Sequence, residues 1–176
     1  MHSSLRIELR LNCARKFPTL PNVHLIQKAL GADEATADLF SPKEGSALGS
    51  LHQRDLRHYN QSFIPTEKVT ITTLDKFCSD NKIDHVHLLK IDVEGHELSV
   101  LKGGVQMIER NAVDVIQFEF GGTSLDSRIY FKDFYLLLSP KYRIYRILPK
   151  GLRELPKYTE KLEIFQSANY LAIAKS

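Results

Sequence analysis

Leu88-Leu89-Lys90-Ile91-Asp92-Val93-Glu94-Gly95-His96-Glu97-Leu98 decides the fold: an apolar run stops on two carboxylates and a glycine, then turns into a helix. Val86, Leu88, Leu89, Ile91 and Val93 make the run nearly continuous, which predicts a strand covered on both faces in a parallel sheet. Asp92 and Glu94 follow at once, and an unpaired carboxylate there costs several kcal/mol, roughly, if buried. Each must therefore meet a cation, a donor network or solvent in a cleft. Gly95 permits a sharp turn, and Glu97 to Lys102 places apolar residues at helical spacing before the Gly103-Gly104 stop. A strand, an acidic turn and a helix in that order form a site at the carboxyl end of a strand, as α/β proteins do.

Working outward, the pattern predicts a helix near 4–13, strands near 23–30 and 35–40, and a polar loop from Ser41 to about Pro65. A strand near 68–73 and a helix from Leu74 to Asn81 lead into the acidic unit. A helix near 96–110, a strand from Val113 to Phe120, a helix at 126–138, a strand at 142–148 and a final strand from Asn169 to Ala174 complete the order. Ser4 to Leu11 also alternates polar and apolar as a strand would, but its Glu, Leu and Arg content favours the helix. Strands alternating with helices predict an α/β fold with a mostly parallel sheet, and the two closing strands, with no helix between them, an antiparallel carboxyl-terminal hairpin.

The 176 residues fit one domain, 1–176, and 43% hydrophobic with 26% charged residues is the composition of an ordinary folded chain. Apolar runs are short and broken by charge, so no segment spans a bilayer, and Arg6, Glu8, Arg10, Arg15 and Lys16 interrupt any leader-like stretch. These features predict a cytoplasmic protein. Cys13 and Cys78 lack metal or redox spacing and read as packed, reduced thiols. Lys141-Tyr142-Arg143-Ile144-Tyr145-Arg146, with Lys150 and Arg153, interleaves cations with aromatics as single-strand nucleic-acid surfaces do. The same alternation describes a strand with one wet face, which is the better reading at a net charge of only +3. His85 and His87 share one strand face at two-residue spacing, but with no third ligand evident in register they read as strand surface, and no metal site is expected.

Thr72-Thr73-Leu74-Asp75, Lys90-Ile91-Asp92-Val93-Glu94-Gly95-His96-Glu97 and Leu101-Lys102-Gly103-Gly104 together resemble the FkbM-type methyltransferase family. Asn22 to Gly31 resembles that family's third strand and Val115 to Phe120 its fifth. The resemblance implies a Rossmann-like class I methyltransferase fold, S-adenosylmethionine as cofactor, and O-methylation of a hydroxyl on a sugar, glycan or secondary metabolite. It implies that Asp92 and Glu94 bind and position the cofactor beside Ala29, Leu30 and Gly31, with Gly49-Ser50-Leu51 nearby. His96 is the natural base, because an imidazole with a pKa near 6.5 is largely neutral at physiological pH. Glu97 and Glu119 would face substrate. The rival reading for Asp92 and Glu94 is that they cap the helix after His96, and the rival for His96 is an exposed imidazole on the first turn.

No Gly-x-Gly pattern lies in the first forty residues, so the resemblance implies a domain truncated at its amino end, without the first strand, glycine-rich loop and second strand. The strand ending at Asp92 would then be an open edge, inviting another copy or a partner to pair with it. A non-catalytic interaction subunit is accordingly the alternative function.

Overall fold

The structure is a computed structural model that describes residues 6–7, 23–41, 49–51 and 64–175. Three sheets are present among them. The shortest joins β1 (Arg6–Ile7) and β2 (Val23–His24) in parallel. Arg6 and Ile7 are thus strand rather than the predicted helix, whose remaining residues, Cys13 included, lie outside the described ones. The predicted strand near 23–30 is two short strands, because β2 pairs with β1 whereas β3 (Ala29–Leu30) pairs in parallel with β5 (Ile64–Thr72). On its other side β5 pairs antiparallel with β4 (Ala35–Ser41), and Phe40 bridges to Ser50. Ile64, Thr66, Val69, Thr70, Ile71 and Thr72 make β5 rich in β-branched residues, which suit a pleated, half-buried surface.

The largest sheet has the order β6-β7-β10-β8-β9, built from Val86–Ile91, Val113–Phe120, Ala168–Ala174, Tyr142–Leu148 and Gly151–Glu154 respectively. Only β6 and β7 run parallel; β10 enters between β7 and β8 and is antiparallel to both. The fold is therefore α/β with mixed sheets, not one mostly parallel sheet. β9 is an unpredicted addition: all four of its residues are exposed, so no burial pattern marks it in a stretch rich in Pro and charge. The register aligns Leu89, Ile116, Ala172 and Ile144 across four strands, and all four are buried.

Helix α5 (Phe131–Leu138) buries Phe131, Phe134 and Leu138 at helical spacing. Phe134 stacks on Phe118 of β7 with ring centroids 4.8 Å apart, and Phe118 stacks in turn on Tyr170 of β10. On the opposite face Leu88 of β6 is 54% exposed. The expectation of a strand covered on both faces is corrected by that figure. In β8, Tyr142 and Ile144 are buried while Arg143 is exposed, the one-wet-face strand that the alternation describes.

The predicted helix near 96–110 is broken into α2 (Glu97–Lys102) and α3 (Val105–Glu109), whereas the one predicted at 126–138 begins only at Phe131 as α5, and an unpredicted helix, α4 (Gly122–Asp126), precedes it. Arg128, at φ 55°, follows the Ser127 cap of α4. Gly103 and Gly104 break the helix near 96–110 because the chain is pressed against its neighbours there. A Cβ on Gly103 would run into the Gly31 carbonyl oxygen, and one on Gly104 would meet Leu74 Cδ2 at 2.6 Å.

Thr73 and Asp75 complete this junction. Thr73 caps α1 (Leu74–Asp80) by accepting from the Lys76 N–H at 3.1 Å. The Asp75 carboxylate reaches across to α3 and accepts from the Gln106 and Met107 N–H groups, both at 2.9 Å, while the Asp75 N–H donates to the Gly103 carbonyl. Buried Cys78 lies on the inner face of α1, its thiol pushed up to about 11 chiefly by desolvation, as suits a packed thiol. Removing the cross-cap tests this junction: Asp75→Ala is expected to cost about 1–2 kcal/mol, read as a lower urea midpoint at unchanged slope. An unchanged midpoint would show that water replaces the carboxylate without loss.

Candidate active site

β6 ends at Ile91, and the next five residues, Asp92 to His96, form a turn held from beneath by Glu97, the first residue of α2. Glu97 is 2% exposed. Its carboxylate accepts from the Val93 N–H at 3.1 Å and the Gly95 N–H at 3.0 Å. Burial pushes the Glu97 carboxyl up to about 6; the backbone donors pull the other way, and the charge of Glu119 adds slightly to the rise. Glu119, near the carboxyl end of β7, therefore shares this rim with the turn, and its side chain is half-buried.

The turn needs two successive residues in the left-handed region, Glu94 at φ 52° and Gly95 at φ 97°. Glu94 adopts it at a cost of about 1–2 kcal/mol, roughly. Position 95 excludes any side chain, since a Cβ there would meet Ser127 Oγ at 2.6 Å and the Thr123 carbonyl oxygen at 2.8 Å. Thr123 belongs to α4 and Ser127 caps its end, so this helix backs the turn. On another side, Ser50 Oγ donates to the Glu94 carbonyl at 3.0 Å, and Ser50 is itself buried. The expected proximity of Gly49-Ser50-Leu51 thus rests on a hydrogen bond at Ser50.

Asp92 meets a cation. Its carboxylate accepts from Lys90 Nζ at 2.7 Å, with both side chains part-exposed. Lys90 was not among the expected site residues, although its two-residue offset from Asp92 on one strand side is the spacing that puts them together. Glu94 is half-buried, and its backbone accepts from Ser50 while its strained φ shapes the turn.

His96 occupies the N-cap position of α2, where its side chain makes no capping bond. The imidazole instead lies against the end of β3: a Cβ on Gly31 would meet His96 Nε2 at 3.2 Å and Ile71 Cγ2 at 2.7 Å. His96 is therefore not the exposed first-turn imidazole of the rival reading. Gly31 also donates its N–H to the Thr72 carbonyl. Of its neighbours, Leu30 is buried in the core and Ala29 is half-buried.

The structure thus brings His96 against Gly31 and Ser50 onto the Glu94 carbonyl, with Asp92 in the same turn and Glu119 at the end of the neighbouring strand. It turns Glu97 inward to the loop's own N–H groups rather than outward to a substrate, because a carboxylate at this depth must take the nearest donors. Asp92 pairs with Lys90 rather than capping α2, and Glu97 takes the turn's donors.

A family profile described as "Methyltransferase FkbM domain" matches residues 6–147. The chain belongs to the FkbM methyltransferase family. No curated protein matches it. A similar solved structure is methyltransferase FkbM from Methylobacillus flagellatus KT, at 15% identity and a TM-score of 0.41, with 86% of this chain and 28% of that chain covered. The chain spans well under a third of the length of that protein. Among the described residues no helix is long and apolar enough to cross a membrane.

The expectation that no third ligand stands in register with His85 and His87 is corrected at the other end of the same strands, where Asp114 lies beside both.

The raised Glu97 pKa makes a signed prediction. A carboxyl whose folded pKa is about 6 against an ordinary 4.5 binds its proton more readily in the folded chain, so it stabilises as pH falls through 6 and the contribution is lost as pH rises back. Relative to Glu97→Gln, which does not titrate, the unsubstituted chain is expected to gain up to about 2 kcal/mol between pH 7 and pH 4.5. Denaturant unfolding at both pH values measures the difference, and a gap that does not change with pH would contradict the buried-carboxylate account.

Proposed function

We propose that this FkbM-family chain takes part in S-adenosylmethionine-dependent O-methylation of a hydroxyl on a sugar, glycan or secondary metabolite. One observation carries the reading: an imidazole from the acidic turn lies against the Gly31 end of β3, with two carboxylates, Asp92 and Glu94, in the same turn. The donor set suits a sulfonium with an attached amine, since it offers negative charge at the surface of the turn and keeps the buried carboxylate for the backbone. When bound there, the cofactor supplies an electrophilic methyl group.

In this reading Asp92 and Glu94 hold positive charge and orient it, with Ala29, Leu30 and Gly31 forming the adjoining wall. Lys90 tempers Asp92, so that the pair presents a fixed dipole rather than a bare anion. His96 takes the proton that the acceptor hydroxyl releases as its oxygen gains a methyl group. Glu97 is a positioning residue: by clasping the N–H groups of Val93 and Gly95 it fixes where His96 and the two acids sit. Glu119 faces the acceptor from the next strand end.

A second reading is favoured by the state of β6. Among the described residues this strand pairs on one side only, and its Leu88 is exposed, which suits a subunit that joins another chain at that edge. The basic face of β8, ordinary for a wet strand, adds no comparable support for nucleic acid.

Calorimetric titration with S-adenosylmethionine, with the size distribution checked in the same buffer, separates the two readings. Saturable one-site binding is expected. Asp92→Ala should weaken it by about tenfold or more, equivalent to about 1.4 kcal/mol, with the circular dichroism unchanged. His96→Gln should keep the binding and lose turnover with a hydroxyl acceptor. A folded chain that binds no cofactor and self-associates would overturn the methyl-transfer reading in favour of the interaction subunit.

A further inference from the structure

His85 immediately precedes β6 and His87 lies within it, so the two imidazoles share one side of the strand. The parallel register sets Val86 against Val113 and Leu88 against Val115, which places His87 opposite Asp114. His85 Nε2 stands 3.0 Å from Asp114 Oδ2, and the two imidazole rings meet edge to face with centroids 4.9 Å apart. One ligand atom from each of the three residues lies within 4.8 Å of the others. The site is at the amino ends of β6 and β7, the opposite end from the Asp92–Glu97 turn.

Tetrahedral bonds of about 2.0–2.1 Å separate neighbouring ligand atoms by about 3.4 Å. The His85–Asp114 pair, at 3.0 Å, is slightly closer than that spacing. The rest of the set closes by a modest rotation of exposed side chains, without moving a strand. The scaffold beneath is fixed: the Val86 N–H donates to the Ala112 carbonyl at 2.8 Å, and buried Tyr142 donates its hydroxyl to the Val113 carbonyl at 2.9 Å. His85 and Asp114 remain 43% and 47% exposed, which leaves an entry path and room for water at the remaining positions.

The geometry points to a divalent transition-metal site formed by His85, His87 and Asp114, which ties the start of the edge strand β6 to β7. Two imidazoles and one carboxylate are the ligands of borderline ions such as Zn2+, whereas Mg2+ and Ca2+ take oxygen shells. The open position away from the protein is filled by water. A bound ion stabilises the folded chain in proportion to its occupancy, because the three ligands come together only when β6 and β7 are paired. The site is independent of the methyl-transfer reading and stands if that reading fails.

Zn2+ is the probe, with Co2+ as its coloured stand-in and Mg2+ as the control. One equivalent of Zn2+ should bind and raise the thermal midpoint, Co2+ should give the visible bands of nitrogen and oxygen ligation, and Mg2+ should do neither. His87→Gln and Asp114→Asn should each weaken Zn2+ by about tenfold or more and abolish the midpoint rise, whereas His24→Gln should keep both. The unsubstituted chain offers a check that needs no variant: Zn2+ should shift the side-chain nitrogen resonances of His85 and His87 ahead of those of the other five of its seven histidines. Shifts at other histidines instead, binding that survives both ligand variants, or no saturable binding would overturn the site and leave a surface His–Asp ion pair.

Discussion

The Glu97 carboxylate, enclosed beneath the turn that follows β6, is the interaction on which the arrangement of the candidate site depends. The chain there must reverse within a few residues and take left-handed φ values at Glu94 and Gly95, leaving N–H groups pointed inward with no strand or helix to receive them. A buried anion that accepts from Val93 and Gly95 satisfies those donors and offsets the strain. Its own desolvation is the cost, visible as a pKa near 6. Asp92 and Glu94 are left at the surface of the turn, and His96 is carried to the end of β3, because the carboxylate beneath them is committed to structure.

The same device recurs elsewhere. Asp75 closes the start of α3 from another helix, and Glu163 accepts from the Phe131 and Lys132 N–H groups at the start of α5 while also taking the Tyr158 hydroxyl. Carboxylates distant in sequence thus fix helix starts against the sheets, where donors and dipole both favour an anion. Through the Asp75 contact, the Thr72-to-Asp75 segment and the Leu101-to-Gly104 segment dock on each other, and Gly103 reaches Gly31 without room for a methyl group. The three-stranded sheet meets the α2–α3 junction at that glycine contact, with His96 beside Gly31.

The strand-turn-helix unit was legible because each part carries its own physical mark: an apolar run, two acids, a glycine, then helical spacing. Thr73 as a cap and the strands at 113–120 and 142–148 were legible for similar reasons. What escaped depends on partners distant in sequence. Glu97 reads as an acid facing substrate until the fold encloses it, and the start of α5 at Phe131 rather than at 126 answers to the left-handed Arg128 and to the distant Glu163 carboxylate rather than to periodicity. β9 is solvated on all its residues and leaves no pattern. Leu88 belongs to an apolar run yet is exposed, because burial of the second face depends on what packs there and not on the strand itself. Asp114 stands with His85 and His87 only through the parallel register of two strands joined by two helices.

The place of β10 bears on how the chain is made. β7 and β8 are neighbours in sequence apart from α4 and α5, yet they share no backbone pairing; each is bonded to β10, which is synthesised after both. As the chain leaves the ribosome, the β6–β7 pair and the β8–β9 hairpin can form early, but they remain two unjoined pieces of sheet. Tyr170 completes the stack on Phe118 only when residues 168–174 arrive. Folding of the large sheet is thus governed by its longest-range pairing, a slow topology that leaves two unpaired strand edges waiting for the same insertion.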